Sequence, residues 1–276
     1  MKPILLLSLV LSACALAAPD RAATVDGPVS LIITYRSKPE SRVAFRTWLE
    51  NKGCAQFERW QHEDVFSGSR IFFTSFAATD TVDAIVILDF RHYSDSERWK
   101  TVEKRFPGGL SAEALALAAA ESTSYAEILG RERTPAHDAR RSPCLIAFYQ
   151  LVTDVDHYRK YFEGYTVPQM RGWIAEGSLS GYAMYLNQAP LGKSWDALLF
   201  LDYTDMPGLA RRDSVKAGVR AALAKSNPAW AEWSKDKAAI RRELSLVIAE
   251  CLDDSNARER DSARFQVEDS RRKNGN

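Results

Sequence analysis

The side chains best suited to chemistry in this sequence are phenols and indoles gathered in its second half. Tyr149, Tyr158, Tyr161, Tyr165, Tyr182, Tyr185 and Tyr203 are joined there by Trp173 and Trp195. A phenol hydroxyl in an apolar pocket can orient an aromatic or quinone-like molecule and, without a cofactor, hydrogen-bond the oxygens of a reacting ligand. Tyr149, Tyr158, Trp173, Tyr182, Tyr185 and Trp195 are therefore the candidate pocket residues. In the stretch GYAMYLN, residues 181–187, strand alternation puts Tyr182 and Met184 on one face and Tyr185 on the other, so both tyrosines line one pocket only across a bulge. The competing reading is that these tyrosines are amphipathic core residues with hydroxyls reaching the surface. His157 is the acid–base candidate in the same half, on residue type alone.

Other chemistries find little support. The histidines His62, His92, His137 and His157 form no H-x-x-x-H or mixed Cys/His cluster of ligand spacing, so no metal site is expected. Gly-rich nucleotide loops and the G-x-S-x-G elbow are missing from the sequence. Lys and Arg total 37 against 36 Asp and Glu, with no basic stripe interleaved with aromatics, which argues against a nucleic-acid partner.

The elements that must position the phenols follow from an internal repeat. Trp60, Glu63, Ser67 and Gly68 recur 113 residues later as Trp173, Glu176, Ser180 and Gly181. Arg46 and Arg159, Glu50 and Glu163, Asp83 and Asp196, Asp89 and Asp202, and Val102 and Val215 keep the same offset, while Phe45 answers Tyr158 and Phe72 answers Tyr185. The chain reads as a tandem duplication with a charged, proline-bearing seam at residues 131–143. Residues that recur are expected to serve the scaffold: the tryptophans as core plugs, the glutamates as loop braces, the aspartates as strand-end acceptors. Function is expected where the copies differ, as where Ser69 and Val82 give way to Tyr182 and Trp195.

Each copy predicts the same elements. LIITY and LIAFY, like AIVILDF and ALLFLDY, are continuous apolar runs expected as central strands, whereas RIFFTSF and YAMYLNQ mix polar and apolar residues and suit edge strands. Helical spacing of Phe45, Trp48 and Leu49, and of Val155, Tyr158, Phe162 and Tyr165, places a helix after the first strand. A second helix carries Trp99, Val102 and Phe106, and a last strand lies near YAEIL or LSLVIAECL. The order β-α-β-β-α-β is the ferredoxin-like pattern, an α+β class with helices on one face of an antiparallel sheet.

Two such units in one chain resemble the dimeric α/β-barrel superfamily, which includes antibiotic-biosynthesis-type monooxygenases, EthD-like proteins, muconolactone isomerases, chlorite dismutases and haem-degrading monooxygenases. The resemblance covers residues 29–252 and rests on element order. It implies two antiparallel sheets facing each other as a barrel closed within the chain, or by exchange in a homodimer. For function it implies binding of a small hydrophobic or aromatic ligand or of a protein partner, with two alternatives: a cofactor-independent monooxygenase or isomerase acting on an aromatic or quinone-like substrate, or a haem protein. A haem-binding relative would use a proximal histidine near the second helix; only His92 lies there, and a surface or capping role suits it better, so no cofactor is expected.

The domain reading is residues 1–14 signal peptide, 15–28 tether, 29–133 first repeat, 134–142 linker, 143–252 second repeat and 253–276 disordered tail. Lys2 followed by an apolar run from Ile4 to Leu11 reads as an export signal. Leu11-Ser12-Ala13-Cys14 resembles a bacterial lipobox, which implies lipidation of Cys14 and a cell-envelope, periplasmic-side location with the lipid as the sole membrane contact; ordinary cleavage after Ala15-Leu16-Ala17 is the alternative. In an oxidising envelope, Cys144 at the start of one strand and Cys251 at the end of its antiparallel neighbour are the candidate disulfide, with Cys54 left as a thiol.

Overall fold

The structure is a computed structural model that describes residues 26–77, 82–134, 140–189 and 194–255. Strand β1 (Val29–Ser37) leads to helices α1 (Arg42–Trp48) and α2 (Cys54–His62), which are continuous through a wide π-helical turn at Leu49–Gly53. Strands β2 (Gly68–Thr74) and β3 (Ala84–Phe90), helix α3 (Ser96–Glu103), a short α4 (Ala112–Leu115) and the long β4 (Ala118–Arg133) complete the first half. The second half repeats the plan with β5 (Pro143–Leu151), α5 (Val155–Tyr161), a π-helical turn at Phe162–Thr166, α6 (Val167–Ala175), β6 (Leu179–Asn187) and β7 (Ala197–Tyr203). Helices α7 (Met206–Ala210), α8 (Arg212–Ser226), α9 (Pro228–Lys235) and α10 (Lys237–Ile240) then precede β8 (Arg241–Asp254).

The eight strands form one closed antiparallel barrel in the order β1-β3-β2-β8-β5-β7-β6-β4. Where two facing sheets were expected, the sheets are continuous, because β4 hydrogen-bonds to β6 and β2 to β8. Closure also corrects the reading of RIFFTSF and YAMYLNQ as edge strands: β2 and β6 are each paired on both sides, which leaves no row of unpaired backbone groups for another chain to join.

Strand alternation sorts the apolar residues into three cores. Ile32, Phe72, Ile85, Ile146, Tyr185, Leu198 and Phe200 fill the barrel. Leu31, Ile33 and Tyr35 of β1 point outward to pack with Phe45, Phe57 and Trp99 beneath the first-half helices. Leu145, Ala147 and Tyr149 of β5 do the same with Tyr158, Tyr161, Tyr165 and Trp173 in the second half.

Polar side chains close one end of the barrel. Arg70, 2 % exposed, donates two 2.7 Å hydrogen bonds to Asp202 and a third of 3.1 Å to Asp254, and Arg133 reaches both aspartates. Arg131 donates to Asp89 at 2.8 Å and to the Tyr185 hydroxyl at 2.6 Å, and the Ser30 hydroxyl donates to Asp89 at 2.6 Å. Each buried charge thus faces an opposite one, as burial in a low dielectric demands. Strand β8 runs on through Asp253 and Asp254, two residues into the stretch read as tail, because Arg70 and Arg133 hold Asp254 inside. Ser255 beyond it is buried and accepts from the Ser69 backbone N–H at 2.7 Å; residues 256–276, Cys14 and the export signal lie outside the described residues.

Candidate ligand-binding site

The two halves make different use of the space between sheet and helices, and the difference begins with single residues. In the first half Trp99 stacks on Phe57 with ring centroids 6.3 Å apart and meets Trp60 edge-on at 5.8 Å. The turn at Pro107–Gly109 is pressed onto this cluster: the Tyr35 hydroxyl donates to the Gly108 carbonyl at 2.6 Å, and a side chain on Gly109 would come within 2.8 Å of Phe57 and 2.9 Å of Trp99. The space is full.

At the offset of 113 the plug is gone. Arg212 stands for Trp99, Met170 for Phe57 and Lys216 for Glu103. The first residue of the last strand changes as well, since Ala118 pairs with Ser37 in β1 whereas Arg241 pairs with Leu151 in the corresponding β5. A cavity of about 80 Å³ remains, walled by Tyr149, Met170, Trp173, Leu199 and Leu201 and rimmed by Arg212, Lys216, Arg220, Lys237 and Arg241, with Glu243 as the one carboxylate in its lining.

Arg241 is the unusual member. It is 9 % exposed, its guanidinium lies 3.9 Å over the ring of Tyr149 and 5.4 Å from that of Tyr161, and its Nε and Nη1 are buried without a hydrogen-bond partner. Burial works against its charge, and the phenols of Tyr149, Tyr161 and Tyr158 offset this. Arg220 is engaged by neutral groups only, donating to Gln169 at 2.7 Å and to the Tyr165 hydroxyl at 2.9 Å. Burial and then the neighbouring cations lower the pKa of Lys216 (Arg220, Arg212) and of Lys237 (Arg241, Arg220, Lys216). Burial pushes the Tyr158 phenol up to about 12 and raises that of Tyr149, so both are neutral donors near neutral pH. The pocket therefore combines an aromatic wall, protonated phenols and excess positive charge.

Of the residues singled out in the sequence, Tyr149 and Trp173 line this pocket, and Tyr158 and Tyr182 share its core. Tyr185 and Trp195 do not belong with them. Tyr185 points into the barrel as the alternation of β6 requires, and Trp195 lies at the opposite end of the barrel from the ion cluster, in a cavity of about 460 Å³ with Phe148, Val82 and Val247. That cavity is larger, but its charged lining residues Arg36 and Glu121 pair with each other, and Thr34 and Ser122 share a 2.8 Å hydrogen bond. His157 is exposed at the start of α5 with its ring edge-on to Trp233 at 5.3 Å, so it is no acid or base for the pocket. Cys144 and Cys251 are separate buried thiols inside the barrel: β5 and β8 pair Cys144 with Ala249, two residues short of the direct opposition a disulfide was expected to use.

The recurring residues divide. Trp60 and Trp173 are buried plugs, and the Ser67 and Ser180 hydroxyls both donate to the backbone carbonyls of Asp89 and Asp202. Asp89 and Asp202 are the acceptors of the ion cluster, whereas Glu63 and Glu176 are exposed at helix ends and brace nothing. Sequence reasoning missed Arg241, Arg212 and Lys216. The signal is present at the offset, as a tryptophan and a glutamate replaced by cations.

A haem fits poorly. No histidine or cysteine lines the pocket, the cavity is small for a macrocycle, and His62, His92 and His157 are exposed. His92 caps the turn before α3, its Nδ1 at 2.9 Å from the Asp26 carbonyl. Among the described residues no three His, Cys, Asp or Glu side chains converge as a metal site, and no helix is long and apolar enough to cross a membrane.

The sequence matches no protein-family model and no curated protein. Its fold matches solved structures. A provisionally named monooxygenase of Fusobacterium nucleatum superposes with a TM-score of 0.51 at 9 % identity, over 84 % of this chain and 95 % of that one. An anthrone oxidase-like protein gives 0.48 at 10 % identity (82 % and 91 % covered), and a chlorite dismutase mutant of Candidatus Nitrospira defluvii 0.47 at 9 % (83 % and 92 %). The chain has the antiparallel α/β-barrel fold of the first of these. At such identity the likeness extends to the fold alone.

Proposed function

We propose that this protein arose from two ferredoxin-like units and that the second unit binds a small aromatic or apolar molecule between its sheet and helices. The observation that carries this reading is the replacement of the Trp99 and Phe57 plug by Arg212 and Met170, which leaves Tyr149 and Trp173 facing open space. Because Trp173 forms part of the wall, intrinsic fluorescence reports occupancy. Titration with a panel of single-ring phenols, quinones and acids should give saturable quenching. Rebuilding the plug with Met170→Phe and Arg212→Trp should abolish it while far-UV dichroism is unchanged; equal binding by the refilled protein rejects the site.

A cofactor-independent monooxygenase or isomerase is the second reading, favoured by the same residues: a buried cation beside neutral phenols can stabilise a substrate phenolate or enolate while it reacts. Oxygen uptake with phenols and hydroquinones that depends on Arg241 would establish turnover; its absence leaves a binding protein. We further propose export to the bacterial envelope with Cys14 lipidated, on the strength of the amino-terminal residues. Acyl chains contribute about 0.8 kcal/mol per buried methylene, so wild-type protein should partition into detergent and Cys14→Ser should move it to the aqueous phase. Equal partition of both forms rejects the anchor.

A further inference from the structure

The charge on the pocket is only partly answered within the protein: Arg212 pairs with Asp213 at 3.2 Å, Asp213 and Glu243 act on Lys216, and four of the five cations have no carboxylate among the described residues in an ion pair. Buried ionised groups are ordinarily paired or solvated, and at the end of the barrel this protein obeys the rule, with Arg70 and Arg133 both facing aspartates. Arg241 breaks it: its Nε and Nη1 are buried without partners, and its company is the rings of Tyr149 and Tyr161 and the neutral Tyr158 hydroxyl, with no carboxylate among the described residues paired to it. Around it Lys216 and Lys237 are held below their ordinary pKa by burial and by neighbouring cations, and Glu243 is the sole carboxylate of the lining. Five cations about one small cavity repel one another until an anion arrives.

We infer that the ligand is itself an anion, a single-ring or short-chain apolar carboxylate, and that Arg241 is the residue that selects it. The inference rests on the reading of this pocket as the ligand site and deepens it. The apolar wall of Tyr149, Met170, Leu199 and Leu201 gives a hydrated inorganic ion nothing to replace its water, whereas a carboxylate with a ring or short chain satisfies wall and charge together. The first half shows what the pocket lost in becoming cationic, since Ala118 and Glu103 occupy the positions of Arg241 and Lys216.

The test is calorimetric titration of the full chain with 4-hydroxybenzoate and with its neutral isostere 4-hydroxybenzamide. Charge-assisted hydrogen bonds are roughly twice as strong as neutral ones, so the amide should bind at least about tenfold more weakly. Arg241→Gln should weaken the carboxylate by about tenfold or more, leave the amide within about twofold, and so erase the discrimination. Lys216→Gln, at a half-exposed helix position, should narrow the same ratio and serves if Arg241→Gln fails to fold. Equal affinity of wild-type protein for the two probes overturns the anion inference and leaves the pocket standing. Absence of saturable carboxylate binding overturns it for this ligand class. Carboxylate binding that survives the Met170→Phe, Arg212→Trp refilling overturns the pocket itself.

Discussion

At the residue scale the two arginine environments predict opposite behaviour. Arg70 holds Asp202 and Asp254 in the buried barrel end, and Arg70→Met would remove one of the two arginines that both carboxylates share. Breaking one member of a buried charge cluster costs about 3–5 kcal/mol, so urea denaturation should show a loss of that size. Lys216 and Lys237 work differently. Their folded pKa values are lowered by burial first and then by neighbouring cations, Arg220 and Arg212 at Lys216 and Arg241, Arg220 and Lys216 at Lys237, with Asp213 and Glu243 opposing at Lys216 and Glu243 at Lys237. In the pH window between the lowered values and the ordinary 10.5 the unfolded chain binds more protons than the folded one, so these lysines make stability rise with pH there. A bound carboxylate favours the protonated amines and pulls their pKa values back up. Binding in that window should therefore take up protons, which titration calorimetry in buffers of different ionisation enthalpy would detect; proton release would have the wrong sign.

At the scale of elements, the helix layer of the first half is a filled core and should respond as one. Trp99 is 1 % exposed and touches Phe57, Trp60 and Phe66, so Trp99→Ala should cost about 3–5 kcal/mol in cavity formation. Affinity for 4-hydroxybenzoate should not change, because the pocket lies under the other helices. Most elements were legible in the sequence, since the strand cores are continuous apolar runs read twice at one offset. Two features were not. Edge and central strands cannot be told apart from composition when a barrel pairs every strand, and polar residues in RIFFTSF and YAMYLNQ serve the barrel: Arg70 the ion cluster, and Asn187 a donor to the Trp195 carbonyl. The pocket was legible as to half and layer, through Tyr149 and Trp173, but its charges were hidden because lysines and arginines near helix ends look like solvated surface until a sheet is laid against them.

At the scale of the whole molecule, the ion cluster that closes the barrel is polar in direction. Apart from the Arg131–Asp89 pair, which lies within the first half, its cations Arg70 and Arg133 come from the first half, and the carboxylates they grip, Asp202 and Asp254, from the second. Two first halves placed face to face would bring arginines together, and two second halves aspartates. Fragments 26–134 and 140–255 should therefore assemble poorly with themselves and recombine one to one when mixed, weakening with added salt, as light scattering after size exclusion would show. Self-association of the first fragment as tight as the mixed pair would contradict this.

The wide turns at Leu49–Gly53 and Phe162–Thr166 carry a historical consequence. A π-helical turn arises from a one-residue insertion into an α-helix, and here it sits at the same place in both halves, 113 residues apart. A single insertion inherited by both descendants accounts for this with fewer events than two independent ones at the same turn. On the proposed duplication, such an insertion predates the doubling, and the divergence of Trp99 from Arg212 postdates it. The ancestor, on that proposal, was a single unit that already bent its first helix this way.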